Sequence, residues 1–395
     1  MKIMFVVSGY YPEGAGAGRS VRNLAEGVLQ AGHDVSVVRL TQPKTKPFME
    51  MIEGVRVHYL PIRNLYFMGK IKRSPLKRFA WHLFDMFNPW AAYDFWKVVR
   101  KEKPDVINTS VIAGFSTSIF LVARFMGITL VHTMRDYYLM CPQNAMYRNG
   151  ANCTGVCKGC KPFFHARKMV SGSVDLFLSN SEFVEERHRS LNFLKPETPC
   201  QVQFNMNEDD TISSPRTLST QGPVKLGFIG RVDPTKGIDI LLKALTMVEF
   251  DNWELTIAGK GADAYIDHLR QTFPDPRITF AGFAEPNAFY NNIDILICPS
   301  VYGEPLPRVV YEAYRAALPV IAARAGGIPE IVDDGVTGFS YEPYDVAALA
   351  SHIQQLASNP DAYKRFSEQA AIKAVDFKKT TITNAFLQKV EAVRT

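Results

Sequence analysis

The sequence predicts an α/β protein with two doubly wound parallel sheets. Three observations carry this. Short apolar runs alternate with helical patterns of 10–15 residues, which is the rhythm of β–α–β units. The runs are apolar at nearly every position, as in "KIMFVV" and "IDILIC", so both faces of each strand are covered. The rhythm then stops in a Pro-, Ser-, Thr- and Asn-rich stretch, "LKPETPCQVQFNMNEDDTISSPRTLSTQGP", and restarts after Pro223.

In the first half, "KIMFVVSG" leads through the glycine-rich turn "EGAGAGRS" into a helix, "SVRNLAEGVLQAG", and then to "HDVSVVRL". This β–α–β unit needs a right-handed crossover. "PDVINTS", "ITLVHTM" and "VDLFLSNS" read as further strands. In the second half, "VKLGFIGR", "WELTIAG", "RITFAGF", "IDILICPS" and "PVIAA" are the strands, with "GIDILLKALTMV" the first helix. The expected layout is an N-terminal domain over 1–205, a linker over 206–222 and a C-terminal domain over 223–377. A final helix over 378–395 packs back on the first domain. Ligands of such sheets bind at the carboxyl ends of the strands, and a cleft between the two domains is the expected site.

The 395-residue chain is 47% hydrophobic and 21% charged, ordinary for a globular protein. The opening run is too short for a secretory signal. The stretch Val111–Val131 is broken by Arg124 and small polar residues, so it reads as a helix and a strand rather than a membrane span. The net charge of +6 is uneven: residues 1–105 hold 17 Lys and Arg against nine Asp and Glu. Within 63–96, Arg63, Lys70, Lys72, Arg73, Lys77 and Arg78 are interleaved with Trp, Phe and Leu. Cations for anionic headgroups beside rings for the acyl boundary suit a membrane surface. A solvated basic face over buried aromatics is the alternative. No nucleic-acid recognition motif accompanies the charge.

The segment "GEPLPRVVYEA" places Glu304 and Glu312 on either side of seven residues, just after the strand "IDILICPS". Pro307 fits a first helical turn. The amides of Leu306, Pro307's neighbours Arg308 and Val309, and the turn they open form an anion site suited to a diphosphate. Glu312 can accept two hydrogen bonds from a ribose diol, and Glu304 lies at the mouth, near a sugar. A capped helix with two exposed acids is the plain alternative.

These residues resemble the E-x7-E motif of the retaining glycosyltransferases of family GT4, which have the GT-B fold. "GFIGRVDPTKGIDILLKAL" resembles the family's G-R-x-x-x-x-K-G element, with Arg231 and Lys236 as the phosphate-binding cations. "LTIAGKG", "AGFAE" (with Phe283 near the nucleotide base) and "PVIAARAGGIPEIVDDGVTGFSYEP" resemble further family segments in family order. The resemblance covers nearly the whole chain. It implies two Rossmann-like domains facing across a cleft and transfer of a sugar from a nucleotide-diphosphate donor, UDP- or GDP-linked. Arg231, Lys236 and the helix N-terminus would stabilise the departing diphosphate without a catalytic metal. Front-face attack is the usual proposal, with Glu304 holding the donor sugar; double displacement is the older one.

The chain departs from the pattern at one element, and two further features stand out. The family's T-x-H-D-like element reads "LVHTMRDYYLMCP" here: Arg135 stands in the histidine's place and His132 lies three residues earlier. His132 is thus either a catalytic contact or a strand histidine. Arg135 and Asp136 are expected to contact sugar or acceptor. "GAGAGR" is no dinucleotide fingerprint, but Gly16 and Gly18 are close-approach points for donor phosphate and acceptor. Cys141, Cys153, Cys157 and Cys160 are spaced C-x11-C-x3-C-x2-C, which suits a structural zinc; free or redox-paired thiols are the alternative.

The expectation is a retaining transferase acting on a lipid-linked glycan, peripheral at the cytoplasmic face of the plasma membrane, in surface polysaccharide or glycolipid synthesis. A soluble-acceptor transferase, a nucleotide-sugar 2-epimerase sharing the fold, and a non-enzymatic zinc-holding adaptor are the rivals.

Overall fold

The structure is a computed structural model. It describes residues 1–10, 16–67, 74–148, 150–218 and 221–394. The chain divides into two compact units. Unit 1 comprises Met1–Met146, Cys153–Glu208 and Lys379–Thr395; unit 2 comprises Tyr147–Asn152 and Asp209–Lys378.

In chain order the strands are β1 (Lys2–Val7), β2 (Asp34–Thr41), β3 (Phe48–Ile52), β4 (Val55–Pro61), β5 (Val106–Ser110), β6 (Thr129–Met134), β7 (Tyr147–Arg148), β8 (Ala151–Asn152), β9 (Leu176–Ser179), β10 (Cys200–Val202), β11 (Val224–Ile229), β12 (Trp253–Ala258), β13 (Ile278–Gly282), β14 (Ile295–Cys298), β15 (Val320–Ala323) and β16 (Gly338–Tyr341).

Unit 1 holds a sheet ordered β10-β9-β6-β5-β1-β2-β4-β3 among the described residues. Its pairs are parallel except β3 with β4, a hairpin added at one edge. The helix Gly16–Gln30 covers β1, and the final helix Lys379–Arg394 packs beside it. Gly27 is the point of closest approach: a Cβ there would meet the Thr383 side chain. Ile382, Phe386 and Val390 of the final helix join Phe5, Leu24 and Val28 in one apolar core.

Two further helices, Pro75–Met86 and Pro89–Glu102, start with Ser74 and Asn88 as N-caps, each followed by proline. That is a standard helix start signal. The first helix buries only Trp81 and Asp85. Asp85 accepts from the Tyr138 hydroxyl at 2.7 Å and the Gly114 amide at 2.7 Å, with Arg167 at 3.4 Å. A buried ion pair of this kind holds only when its hydrogen bonds are complete. Burial still pushes the Asp85 carboxyl up to about 6.

Unit 2 holds a parallel sheet ordered β13-β12-β11-β14-β15-β16. β12 and β13 extend the sheet on one side of β11; β14, β15 and β16 extend it on the other. The chain order therefore reverses between β11 and β14, and such a switch point opens a crevice at the carboxyl ends of the strands. Residues 209–218 pack on this unit instead of hanging as a linker. Asp209 pairs with Arg315 at 2.7 Å, and the Arg216 amide donates to Ser367 Oγ at 2.6 Å.

Candidate functional site

The two loops at the switch point of unit 2 are tied to each other by backbone bonds. After β11, the chain runs through Arg231 into a 3-10 turn, Pro234–Lys236, capped by Asp233. Gly237 follows with φ +66°, and a Cβ there would collide with the Pro299 carbonyl. Only glycine tolerates both conditions. After β14, the amides of Val301 and Tyr302 both donate to the Thr235 carbonyl, at 3.0 and 3.3 Å. The residue before Lys236 thus holds the loop that leads to Glu304.

Glu304 is only 7% exposed. Its Oε1 accepts from the Lys236 ammonium and from Ser300 Oγ, the latter at 3.0 Å. Burial opposes the charge on Lys236, and Arg231 adds to that; the Glu304 carboxylate outweighs both and holds the lysine above its usual pKa. Behind the pair, burial pushes the Cys298 thiol up to about 11. The backbone of Glu304 is fixed by the Gly327 amide on its carbonyl at 2.8 Å. Gly326, at φ +66°, lies so close that a Cβ would press on the Glu304 nitrogen at 2.5 Å.

The helix after this loop spans Arg308–Arg315, with Pro307 at the N-cap rather than inside the first turn. Leu306 is buried, and Arg308 and Val309 open the helix. Glu312, one turn in, accepts from Arg308 at 2.7 and 3.1 Å and from the Tyr290 hydroxyl at 2.9 Å. Glu312 is therefore oriented on both sides, with acceptor capacity left on a carboxylate that has about four lone-pair sites. Arg231 is 74% exposed on its side chain and pairs with Asp233 at 3.1 Å. Phe283 is exposed, with the Lys260 ammonium 5.7 Å from its ring centre.

Unit 2 thus gathers Arg231, Lys236, Glu304 and the start of the Glu312 helix around one crevice. A cation cluster, a helix N-terminus and two oriented carboxylates can bind a diphosphate, a diol and a polyhydroxy ring. Sequence reasoning missed Ser300, Tyr290, Thr235 and Gly326. Of these, only Gly326 carried a signal, through its "GG" pair.

The residues proposed from unit 1 are placed differently. His132 is buried on β6, its Nδ1 2.8 Å from Thr109 Oγ1 and its ring edge-on to Phe120 and Phe177. Burial, helped by His188, pushes its pKa down to about 3. This placement matches the strand-histidine alternative: a buried ring packed against two phenylalanines. Arg135 and Asp136 follow at the strand's end, half-buried. The Asp136 carboxyl accepts from the Tyr138 amide at 3.0 Å, and burial raises it to about 6. Gly16 opens the first helix. Gly18 is required by packing, since a Cβ would come within 2.6 Å of the Gly9 carbonyl oxygen. Residues 11–15 of that turn lie outside the described residues, as do Lys70, Lys72 and Arg73.

Three of the four cysteines expected to hold zinc lie close together. The Cys157 and Cys160 sulfurs are 3.3 Å apart, and those of Cys160 and Cys141 are 4.0 Å apart. A tetrahedron of thiolates on zinc has edges of roughly 3.8 Å, given metal–sulfur bonds near 2.3 Å. The two distances lie on either side of that edge. No group of three or more His, Cys, Asp or Glu among the described residues is arranged to hold a metal ion. Burial, and then its neighbours Cys157 and Cys141, push the Cys160 thiol well up.

Two family models match the chain: "Glycosyl transferases group 1" over residues 209–373, and "Glycosyl transferase 4-like domain" over residues 15–202. A protein of the cps region of Klebsiella pneumoniae, of uncharacterised function, is 30% identical over 84% of this chain and 87% of its own length. An uncharacterised glycosyltransferase of Methanocaldococcus jannaschii is 27% identical over 91% of this chain and 90% of its own. Among solved structures, Anabaena HepE in complex with UDP superposes with a TM-score of 0.74 at 19% identity, covering 99% of this chain and 100% of that one. That likeness shows the GT-B fold of two parallel-sheet domains. With both halves matched in order, this chain is a glycosyltransferase of the GT4-like, group 1 family.

Proposed function

We propose that this glycosyltransferase moves a sugar, with retention of anomeric configuration, from a nucleotide-diphosphate sugar to a lipid-linked glycan. The observation that carries the donor half is the Lys236–Glu304 pair at the β11/β14 switch point, with Glu312 one helical turn beyond. The diphosphate lies on Lys236, Arg231 and the amides that open the helix at Arg308. The ribose takes the remaining acceptor sites of Glu312. Glu304 holds donor-sugar hydroxyls beside the anomeric carbon. As the C1–O bond to phosphate breaks, charge grows on the diphosphate and Lys236 and Arg231 stabilise it. The acceptor oxygen bonds to C1 on the same face, and its proton passes to the departing phosphate oxygen. UDP is the favoured nucleotide, because HepE, which shares the fold, binds UDP.

The acceptor half rests on the helices Pro75–Met86 and Pro89–Glu102. Leu76, Phe79, Leu83, Phe84, Trp90 and Tyr93 are exposed on them, and Phe87 is exposed between them. The same helices expose Lys77, Arg78 and Lys97, while their acids, Asp85, Asp94 and Glu102, are all buried. Among the described residues no helix is long and apolar enough to cross a membrane. An exposed apolar face ringed by cations and stripped of surface acids matches an anionic lipid surface, here the cytoplasmic leaflet.

Release of nucleotide from a panel of UDP-, GDP- and ADP-sugars tests the donor half. Turnover with one donor that falls by about 10²–10³ in Glu304→Gln supports it. Equal turnover in wild type and variant would refute the role of Glu304.

A further inference from the structure

The loop that delivers Glu304 runs from Pro299 to Gly303 without regular secondary structure. Its buried backbone groups still need partners. Thr235 takes the amides of Val301 and Tyr302. The next two groups, the Val301 carbonyl and the Gly303 amide, are both satisfied by one side chain. Asn152 Nδ2 donates to the Val301 oxygen at 3.2 Å, and Asn152 Oδ1 accepts from the Gly303 nitrogen at 2.9 Å.

A carboxamide presents one carbonyl and one N–H in a fixed plane, as a peptide group does. Asn152 therefore serves the loop as one link of a neighbouring strand would. It is held in place by the two-stranded β7–β8 hairpin, where it pairs with Tyr147. The Tyr147 ring stands edge-on to Tyr302, the residue between the two that Asn152 grips, at 6.0 Å between centroids. Burial, and then the hydroxyl of Tyr344, raise the Tyr147 phenol above its usual value. Tyr302 is thus confined by a ring on its side chain and a carboxamide across its flanking peptides. Two residues on, the Glu304 amide donates back to the Tyr302 carbonyl at 2.7 Å, so any shift at 302 reaches Glu304 directly.

We propose that Asn152 is a positioning residue for the transfer reaction: its carboxamide fixes the Val301–Gly303 backbone and so sets Glu304 against Lys236. This rests on the reading that Glu304 faces the donor sugar. In this reading Asn152 acts through the Val301–Gly303 backbone that it grips. Its effect is on geometry at the moment of transfer, where displacements of about 1 Å cost up to 10²-fold. The proposed diphosphate and ribose contacts are on other residues, Arg231, Lys236 and Glu312.

The test compares wild type with Asn152→Ala and Asn152→Asp. Three quantities are read: kcat with the accepted donor, the Kd for the free nucleotide diphosphate, and amide hydrogen exchange in the peptide covering Val301–Leu306. In Asn152→Ala, kcat should fall by about tenfold or more, with nucleotide Kd within threefold and faster exchange in that peptide. Asn152→Asp, which keeps the acceptor for Gly303 and loses the donor to Val301, should lie between the two. Unchanged kcat, or a parallel loss of kcat, nucleotide affinity and melting temperature, would overturn the proposal. Unchanged exchange would overturn it equally. The exchange readout needs no turnover. If no donor is consumed by wild type, the transferase reading of Glu304 fails on its own, and exchange still decides whether Asn152 holds the loop.

Discussion

The Lys236 ammonium meets the Glu304 carboxylate across the point where strand order reverses in the unit 2 sheet. Neither residue is close to the other in sequence. They meet because β11 and β14 are neighbours and because the Thr235 carbonyl takes two amides of the Glu304 loop. Replacing Lys236 by Met leaves a buried carboxylate whose Oε1 still accepts from the Ser300 hydroxyl but has lost its cation. Breaking a buried pair on one side costs about 3–5 kcal/mol. Lys236→Met should therefore lower the melting temperature and abolish turnover. Lys236→Met/Glu304→Gln should recover much of the stability and none of the activity. Calorimetric melting curves beside a nucleotide-release assay check both.

Tyr290, on the helix Pro286–Asn291 that precedes β14, orients Glu312. Its hydroxyl donates to a carboxylate, a bond worth about 1.5–3 kcal/mol. Tyr290→Phe keeps the ring and deletes the bond. Nucleotide affinity should fall by about three- to tenfold while kcat at saturating donor changes little, as measured by steady-state kinetics. A fall in kcat at constant affinity would place Glu312 in the chemical step instead.

Much of this was legible in the sequence. The apolar runs marked the central strands of both sheets, because a strand covered on two faces has no polar positions to blur it. The antiparallel β3–β4 hairpin was not seen: β3, "FMEMI", is an edge strand whose residues are mostly exposed, so neither burial nor alternation marks it. Glu304, Glu312, Arg231 and Lys236 could be named because the two short segments that hold them resemble motifs of the GT4 family. Tyr290, Ser300 and Asn152 could not, since their roles exist only once distant segments meet. His132 misled for the opposite reason. A histidine at a strand end near a charged turn looks the same in sequence whether its ring faces solvent or, as here, Phe120 and Phe177.

His132 leads to a pH prediction. Its pKa lies near 3 in the folded state, and those of His82 and His188 near 4; unfolded histidine titrates near 6.5. Each contributes stability that is whole above about pH 6.5 and is lost as the pH falls toward the folded value. Asp85 and Asp136, raised to about 6, act in the opposite sense between about pH 6 and 4. The histidines therefore act alone just below pH 6.5, and stability should begin to fall there. His132→Asn should flatten this acid limb by up to one proton, about 1.4 kcal/mol per pH unit. It should leave kcat at pH 7.5 within about threefold, far from the 10²-fold or greater loss expected on removing a catalytic acid or base. Urea melts across pH 5–8 and kinetics on the same variant read both.

The exposed face of Pro75–Met86 predicts lipid dependence. Phe79→Ser/Leu83→Ser should weaken sedimentation with vesicles containing anionic phospholipid by about tenfold or more, since each side chain carries about 1.5–3 kcal/mol when fully buried. Binding to neutral vesicles should be weak for both proteins, and turnover on a soluble acceptor should be unchanged. Self-association of the wild type that the double variant abolishes, without vesicle binding, would assign this face to a second copy of the chain.

The most direct test of the central claim, that the crevice between β11 and β14 is the donor site, is calorimetric titration of UDP and GDP into wild type and Glu312→Gln. One nucleotide should bind the wild type, and Glu312→Gln should weaken it by about tenfold, as for loss of a hydrogen bond to a charged group. Equal binding to both proteins, or no binding of either nucleotide at millimolar concentration, would contradict the account.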